Sequence, residues 1–241
     1  MALAFNQSTT GNNTTSPVTT TAFAGAVTAG NIMVVTESDD SGADQSATMT
    51  MTDNHGNTYT RLANTGAALV GTHTVWWAKI TTGAASGFTV TCTDTSGAFA
   101  RMTLVAQEFT GFTGTPTFDK ISTNANGTST TPLSGSSGTL TVAAELVVGC
   151  FANFGVSAAW TLGTGYTNLG SVAVANGGGA QESKIVAATT AVTAGATLAS
   201  SEAWSAFVVT FRDVASAAAG QETMPVRSQP TNHYRPSIVI V

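Results

Sequence analysis

Apolar and polar residues alternate with a period of two along most of the chain. Thr48-Met49-Thr50-Met51-Thr52 alternates, and so does Phe88-Thr89-Val90-Thr91-Cys92. Leu104–Phe109 and Ala206–Phe211 are compact runs rich in Val and Phe. Each run is short and bounded by Gly, Asn, Asp or Ser, which is the signature of a β-sandwich or barrel. Asn54-His55-Gly56-Asn57 lies between Thr48–Asp53 and Thr58–Leu62. It predicts a hairpin turn with Gly56 in the left-handed conformation. No segment carries a long 3.6-residue pattern, and Ala215–Ala219 is too short to form a stable helix alone.

The order of strands also repeats along the chain. In the first half, Gly30–Val35 is followed by Asp53–Thr60, Val75–Ile80, Ser86–Thr91 and Met102–Phe109. In the second half, Ala144–Val148 is followed by Gly163–Thr167, Glu182–Val186, Thr193–Leu198 and Ala203–Phe211. Two such sets fit interleaved Greek keys in a double-sheet jelly roll. Ser122–Gly138 reads as a long crossover, because two halves packed face to face would each cover the other's apolar face. The expectation is an all-β, double-sheet antiparallel jelly-roll sandwich over residues 1–213. It is internally duplicated, with pseudo-repeats at 29–112 and 143–213, and an extended C-terminal arm follows at 214–241. Ile32, Val34, Trp76, Val90, Leu104, Leu146, Val148 and Phe207 are expected in the core.

Composition narrows the function classes. Only 9% of the 241 residues are charged, with 8 Lys+Arg against 13 Asp+Glu, while 44 are Thr. An acidic chain with few cations is a poor phosphate binder, so nucleic acid is not an expected partner. No apolar stretch reaches the ~18 residues of a membrane span. Solubility must come from hydroxyls and amides, and such a surface suits close packing against identical neighbours. The N-terminal Met1–Gln7 carries neither the basic nor the apolar region of a secretory signal. Synthesis in a host cytoplasm is therefore expected. Cys92 and Cys150 are in phase with core positions and read as small apolar residues. The sequence leaves their pairing open.

The residues Gly30-Asn31, Asp53 with Gly56–Arg61, Val75–Lys79, Phe88–Thr91, Leu104–Gly111, Ala144–Gly149, Gly165–Thr167 and Val208–Phe211 form a familiar order. That order resembles the concanavalin-like jelly-roll domains of bacteriophage structural proteins and of bacterial surface proteins, over about Ala29 to Arg212. The resemblance implies a non-enzymatic virion or surface module, in some members sugar-binding. Its motifs are structural rather than catalytic.

Candidate sites are few. The chain has three histidines and no Gly-x-Ser-x-Gly, His-Glu-x-x-His or Walker motif. Glu108, Glu145 and Glu182 could serve a paired-carboxylate glycosidase, but nothing in the sequence pairs them, so solvated or ladder-edge roles are expected. Asp39, Asp40 and Asp44 lie in an oxygen-rich loop that would suit Ca²⁺, though not at EF-hand spacing. In Val75–Ile80, Trp76 should face the core and Trp77 the opposite, outer face. There Trp77 would be a sugar platform, an interface anchor, or a ring covered by a loop. Tyr59, Trp160 and Tyr166 sit near expected loops and could join a sugar site. No cofactor is implied.

The tail breaks the pattern. Pro225, Pro230 and Pro236 keep Met224–Pro236 extended. The tail carries a net charge of +1 against −6 for the rest of the chain. It ends Ile238-Val239-Ile240-Val241, a β-prone run that calls for a cover. Met224, Arg227, Tyr234, Arg235 and Ile238–Val241 are the expected assembly arm. The expected function is a structural protein of a phage-like virion, as a capsid decoration, cement, tail or fibre component. Its expected partners are further copies of itself and other virion proteins. The alternative is a carbohydrate-binding or adhesive module whose partner is a glycan.

Overall fold

The structure is a computed structural model and describes residues 2–65, 71–97 and 99–214. The described chain is all-β and antiparallel, apart from one 3-10 turn at Ser46–Thr48. The first half contains β1 (Ala4–Asn13), β2 (Val18–Thr19), β3 (Ile32–Asp39), β4 (Met49–Asp53), β5 (Thr60–Asn64), β6 (Thr72–Lys79), β7 (Val90–Asp94) and β8 (Met102–Thr110). Five of these form a large sheet in the order β1-β8-β3-β6-β5, and β2-β7-β4 form a smaller one.

The second half contains β9 (Thr115–Ile121), β10 (Ala125–Ser129), β11 (Leu146–Phe154), β12 (Trp160–Thr161), β13 (Thr167–Val174), β14 (Gly177–Ile185), β15 (Thr197–Leu198) and β16 (Glu202–Val214). Its large sheet runs β10-β16-β11-β14-β13, with β9 also on β16, and β12-β15 form the small sheet. The five-strand path of this large sheet follows the same order as that of the first half, with β9 added, and the small sheet has two strands in place of three. Residues 130–137, from the Ser122–Gly138 crossover, lie along the small sheet. Thr130 and Pro132 carbonyls accept from the Leu198 and Ala196 amides, and the Ser134 amide donates to the Ala194 carbonyl.

The layers explain the patterning. Met33, Val35, Trp76, Phe88, Val90 and Leu104 fill a core between the two sheets of the first half. Val147, Phe151, Trp160, Leu198 and Val208 fill an equivalent core in the second. The two large sheets then pack back to back on a third core containing Ile32, Val34, Val75, Phe109, Leu146, Val148, Phe207 and Phe211. All eight expected core residues are buried. Every residue of β3 and β11 is buried, since both faces of each strand are covered. Alternate residues of one strand therefore serve two different cores.

Polar stitches cross the middle layer. Gln181 Nε2 donates to Thr36 Oγ1 at 2.9 Å, Gln107 Nε2 to the Asn168 carbonyl at 2.7 Å, and Ser38 Oγ to the Gly178 carbonyl at 2.9 Å. The expected hairpin at Asn54–Asn57 is instead an arch between sheets, because β4 pairs with β7 and β5 with β6. Gly56 is left-handed as expected, at φ 76°. The arch is pinned by Asp53 Oδ1, which accepts from the His55 and Asn57 amides. Asn57 Oδ1 in turn accepts from the Thr81 and Thr82 amides. Those local bonds carry the chain across the core rather than back along its own sheet.

Candidate functional site

The four aromatics named from the sequence do not converge. Tyr59 is 9% exposed in the first core, while Trp160 and Tyr166 are 5% and 7% exposed in the second. Three of the four thus have no open ring face for a sugar. Trp77 lies on the face opposite Trp76, as the alternation requires. That face is the middle layer rather than the outer surface, and Trp77 packs on Phe211 with ring centroids 5.4 Å apart. The second half's large sheet covers one side of it, and the half-buried ring also lines a concavity with Thr58, Thr60 and Lys79.

The acidic loop is committed to turns. Asp39 Oδ1 accepts from the Ser41 and Thr72 amides, Asp40 Oδ1 from Ala100 and Arg101, and Asp44 Oδ1 from Ser46. Asp39 is 2% exposed, and burial raises its carboxyl above the ordinary carboxylate range. Among the described residues no group of three His, Cys, Asp or Glu side chains is placed to hold a metal ion. Asp39, Asp40 and Asp44 therefore act as backbone caps, each aimed at its own amides. Cys92 and Cys150 are both free and buried, in the first core and the middle layer respectively. The assembly-arm residues Met224, Arg227, Tyr234, Arg235 and Ile238–Val241 lie outside the described residues.

Glu108, Glu145 and Glu182, expected in solvated or ladder-edge roles, are not solvated. All three are fully buried. Glu108 is a structural acceptor for Asn6, Gln7 and Asn31 side chains and for the Thr28 amide. Glu145 Oε1 caps the Val142 amide at 2.9 Å. The sequence offers no strong signal for such burial, because the acids occupy strand positions that look like ordinary ladder edges. Each is held by groups of its own half: Glu108 by β1 and residues 28–31, Glu145 by Val142, and Glu182 by Gly163.

Glu182 and Lys184 form the most distinctive group. They are two residues apart on β14 and so project to the same side. Glu182 Oε2 accepts the Gly163 amide at 2.7 Å. Burial pushes its carboxyl up to about 7, while the Gly163 and Gly195 amides and the nearby Lys184 pull the other way. Lys184 Nζ lies 4.1 Å from the centroid of the Tyr166 ring, a favourable cation–π placement. The Tyr166 hydroxyl is fixed by donating to the Thr193 carbonyl at 2.7 Å.

Above them is a concavity of about 420 Å³ lined by Tyr166, Lys184, Gly163, Gly195, threonines and two leucines. Its floor is thin. A Cβ on Gly163 would sit 1.6 Å from the Gly195 carbonyl oxygen, so only glycine lets these two backbones approach. A fixed lysine, a hydrogen-bonded tyrosine and a glycine floor over a carboxyl can hold a polar ligand by hydrogen bonding and charge.

A second buried polar chain lies in the first half. Trp76 Nε1 donates to Thr74 Oγ1, and Thr74 Oγ1 to Glu37 Oε2, each at 2.7 Å. Burial and the neighbouring Asp39 raise the Glu37 carboxyl well above its ordinary value. In the middle layer, His73 Nδ1 lies 2.9 Å from Ser205 Oγ, which donates to Asn124 Oδ1 at 2.9 Å. With the Ser205 proton directed to Asn124, His73 Nδ1 is the donor. Burial lowers this imidazole to about 3. His73, Ser205 and Glu37 are all fully buried, so these groups bear on stability.

Comparison with family models, with curated proteins and with solved structures finds no match to this chain.

Proposed function

We propose that the chain is a non-enzymatic structural protein of a phage-like particle, acting through protein–protein assembly as a decoration, cement, tail or fibre component. The observation that carries this reading is the three-core stack. Both central strands are buried on both faces, so two sandwiches are fused into one stiff block. Cores of this kind are close-packed and transmit load with little give. The surface of the block is rich in hydroxyls and poor in charge, which suits dry packing against further copies. The sequence-level resemblance to virion jelly rolls and the cationic arm support the same reading.

Assembly is measured by light scattering of the purified chain and by co-sedimentation with the particles of its source. Removing Met224–Val241 should leave circular dichroism unchanged and weaken both signals. A full-length chain that stays monomeric and fails to co-sediment would overturn the proposal.

The glycan-binding reading keeps specific support. Tyr166 lines a concavity together with Lys184, and Trp77 lines another together with Lys79.

A further inference from the structure

The two sandwiches have the same strand order, so their registers can be laid over one another. Ile32 pairs with both Lys79 and Phe109, and Leu146 pairs with both Ile185 and Phe211. Counting inward from these anchors, Trp76 corresponds to Glu182 and Ala78 to Lys184. By the pairs Thr60–Trp77 and Thr167–Ser183, Tyr59 corresponds to Tyr166. The first sandwich closes this end with Trp76 and Ala78, 7% and 1% exposed. The second sandwich has a carboxyl and an ammonium at the same two positions.

The ammonium is not used up by the fold. The one salt bridge among the described residues joins Arg212 to Asp119. Lys184 makes none, and it donates no hydrogen bond to another described residue. Its charge is instead held over the Tyr166 ring at the edge of the concavity, a position set by ring packing. Around it stand Thr164, Thr193 and Thr197, the backbone of Gly163 and Gly195, and the side chains of Leu133 and Leu162. Both leucines are exposed, at 53% and 39%.

We propose that this concavity is a binding site for an anionic saccharide, a polyhydroxylated ring bearing a carboxylate. Lys184 takes the carboxylate, the threonine hydroxyls exchange hydrogen bonds with ring hydroxyls, and Leu133 and Leu162 cover the C–H faces. Each demand comes from a named feature: one cation without a salt bridge, several threonine hydroxyls, and two apolar walls. The volume of about 420 Å³ falls within the roughly 300–1,000 Å³ of small-molecule sites. The site rests on its own geometry and not on the assembly reading, so either can fail alone.

The test is an NMR titration of the full chain with sodium D-glucuronate, D-glucose, sodium acetate and a hexaglutamate peptide. Glucuronate should shift the amides of Gly163, Thr164 and Gly195 and bind at least tenfold more tightly than glucose or acetate. Lys184→Gln should weaken it about tenfold or more. Leu133→Asp, an exposed change that leaves the cores intact, should do the same by placing a like charge at the rim. Lys79→Gln, in the first sandwich, should change nothing. Acetate binding as tightly as glucuronate, tighter binding of the peptide, or no shift at these amides would each overturn the proposal.

Discussion

The two sandwiches share a strand order and differ in where they bury polarity. In the first, Glu37 on β3 is joined through Thr74 to Trp76, and the core positions near Tyr59 on β6 are held by Trp76 and Ala78. In the second, the positions of Glu37, Thr74 and Trp76 are held by Phe151, Ala180 and Glu182. The buried carboxyl has moved along the sheet, from one strand to its neighbour. Room for it comes from Gly149, which stands where the first sandwich has Val35. A Cβ at Gly149 would lie 2.6 Å from the Ala194 Cβ and 3.0 Å from Glu182 Cγ. Register sets the architecture, and residue volume at two or three positions decides which end of a core can carry charge.

The layer shared by the two sandwiches should be the most sensitive to change. Phe211 packs on Trp77 and Phe118, with centroids 5.4 Å and 6.1 Å away, so it ties both large sheets together. Phe211→Ala should cost about 3–5 kcal/mol by the usual measure of a buried phenylalanine. Urea melts followed by Trp fluorescence check it. A loss under 1 kcal/mol would show that the sandwiches do not depend on each other.

Acid should act next, through His73 in the same layer. Its folded value of about 3 lies below its ordinary 6.5, so the unfolded chain binds the proton first. Stability is complete above pH 6.5 and falls by about 1.4 kcal/mol per pH unit below it, on the order of 4–5 kcal/mol by pH 3. Glu182 has the opposite sign. Its folded value of about 7 exceeds its ordinary 4.5, so its contribution is present below pH 4.5 and is lost as pH rises to 7. Glu182→Gln should raise stability at pH 8 by roughly 2–3 kcal/mol. His73→Gln should flatten the acid limb only. Melts at half-unit pH steps separate the two, and an unchanged slope in either variant removes the corresponding assignment.

Much of the fold was legible in the sequence, because period-two alternation survives even where both faces are buried. Trp76 and Trp77 point to opposite sides as the pattern requires, and Gly56 turns left-handed as expected. What alternation does not encode is the partner of each face. Trp77 looked solvent-facing because nothing local says that a second large sheet, built from strands that begin at Thr115, will pack against its face. The arch at Asn54–Asn57 looked like a hairpin for a similar reason. Its turn residues are right for a reversal, and only the later strands β6 and β7 decide that β4 and β5 belong to different sheets. The candidate site was the least legible. Glu182 and Lys184 read as an ordinary strand edge until the glycine floor and Tyr166 are folded over them.

The smallest effect should come from making the second sandwich resemble the first at one position. Lys184→Ala installs the residue that the first sandwich has at Ala78. It removes a cation–π contact worth on the order of 0.5–1 kcal/mol at a partly open site. It also removes the desolvation of a half-buried ammonium, whose value burial lowers below the ordinary range. The two effects oppose each other, so global stability should move by less than about 1 kcal/mol. The local readout should still change. Tyr166 loses the cation above its ring, so its ring-proton shifts should move while those of Tyr59 stay in place. Glu182 loses its nearest cation and should titrate higher than in the unmodified chain, which carbon-detected NMR of its carboxyl can follow. A Glu182 titration unchanged by Lys184→Ala would show that the two side chains do not sense each other, and the contrast between the sandwiches would reduce to packing alone.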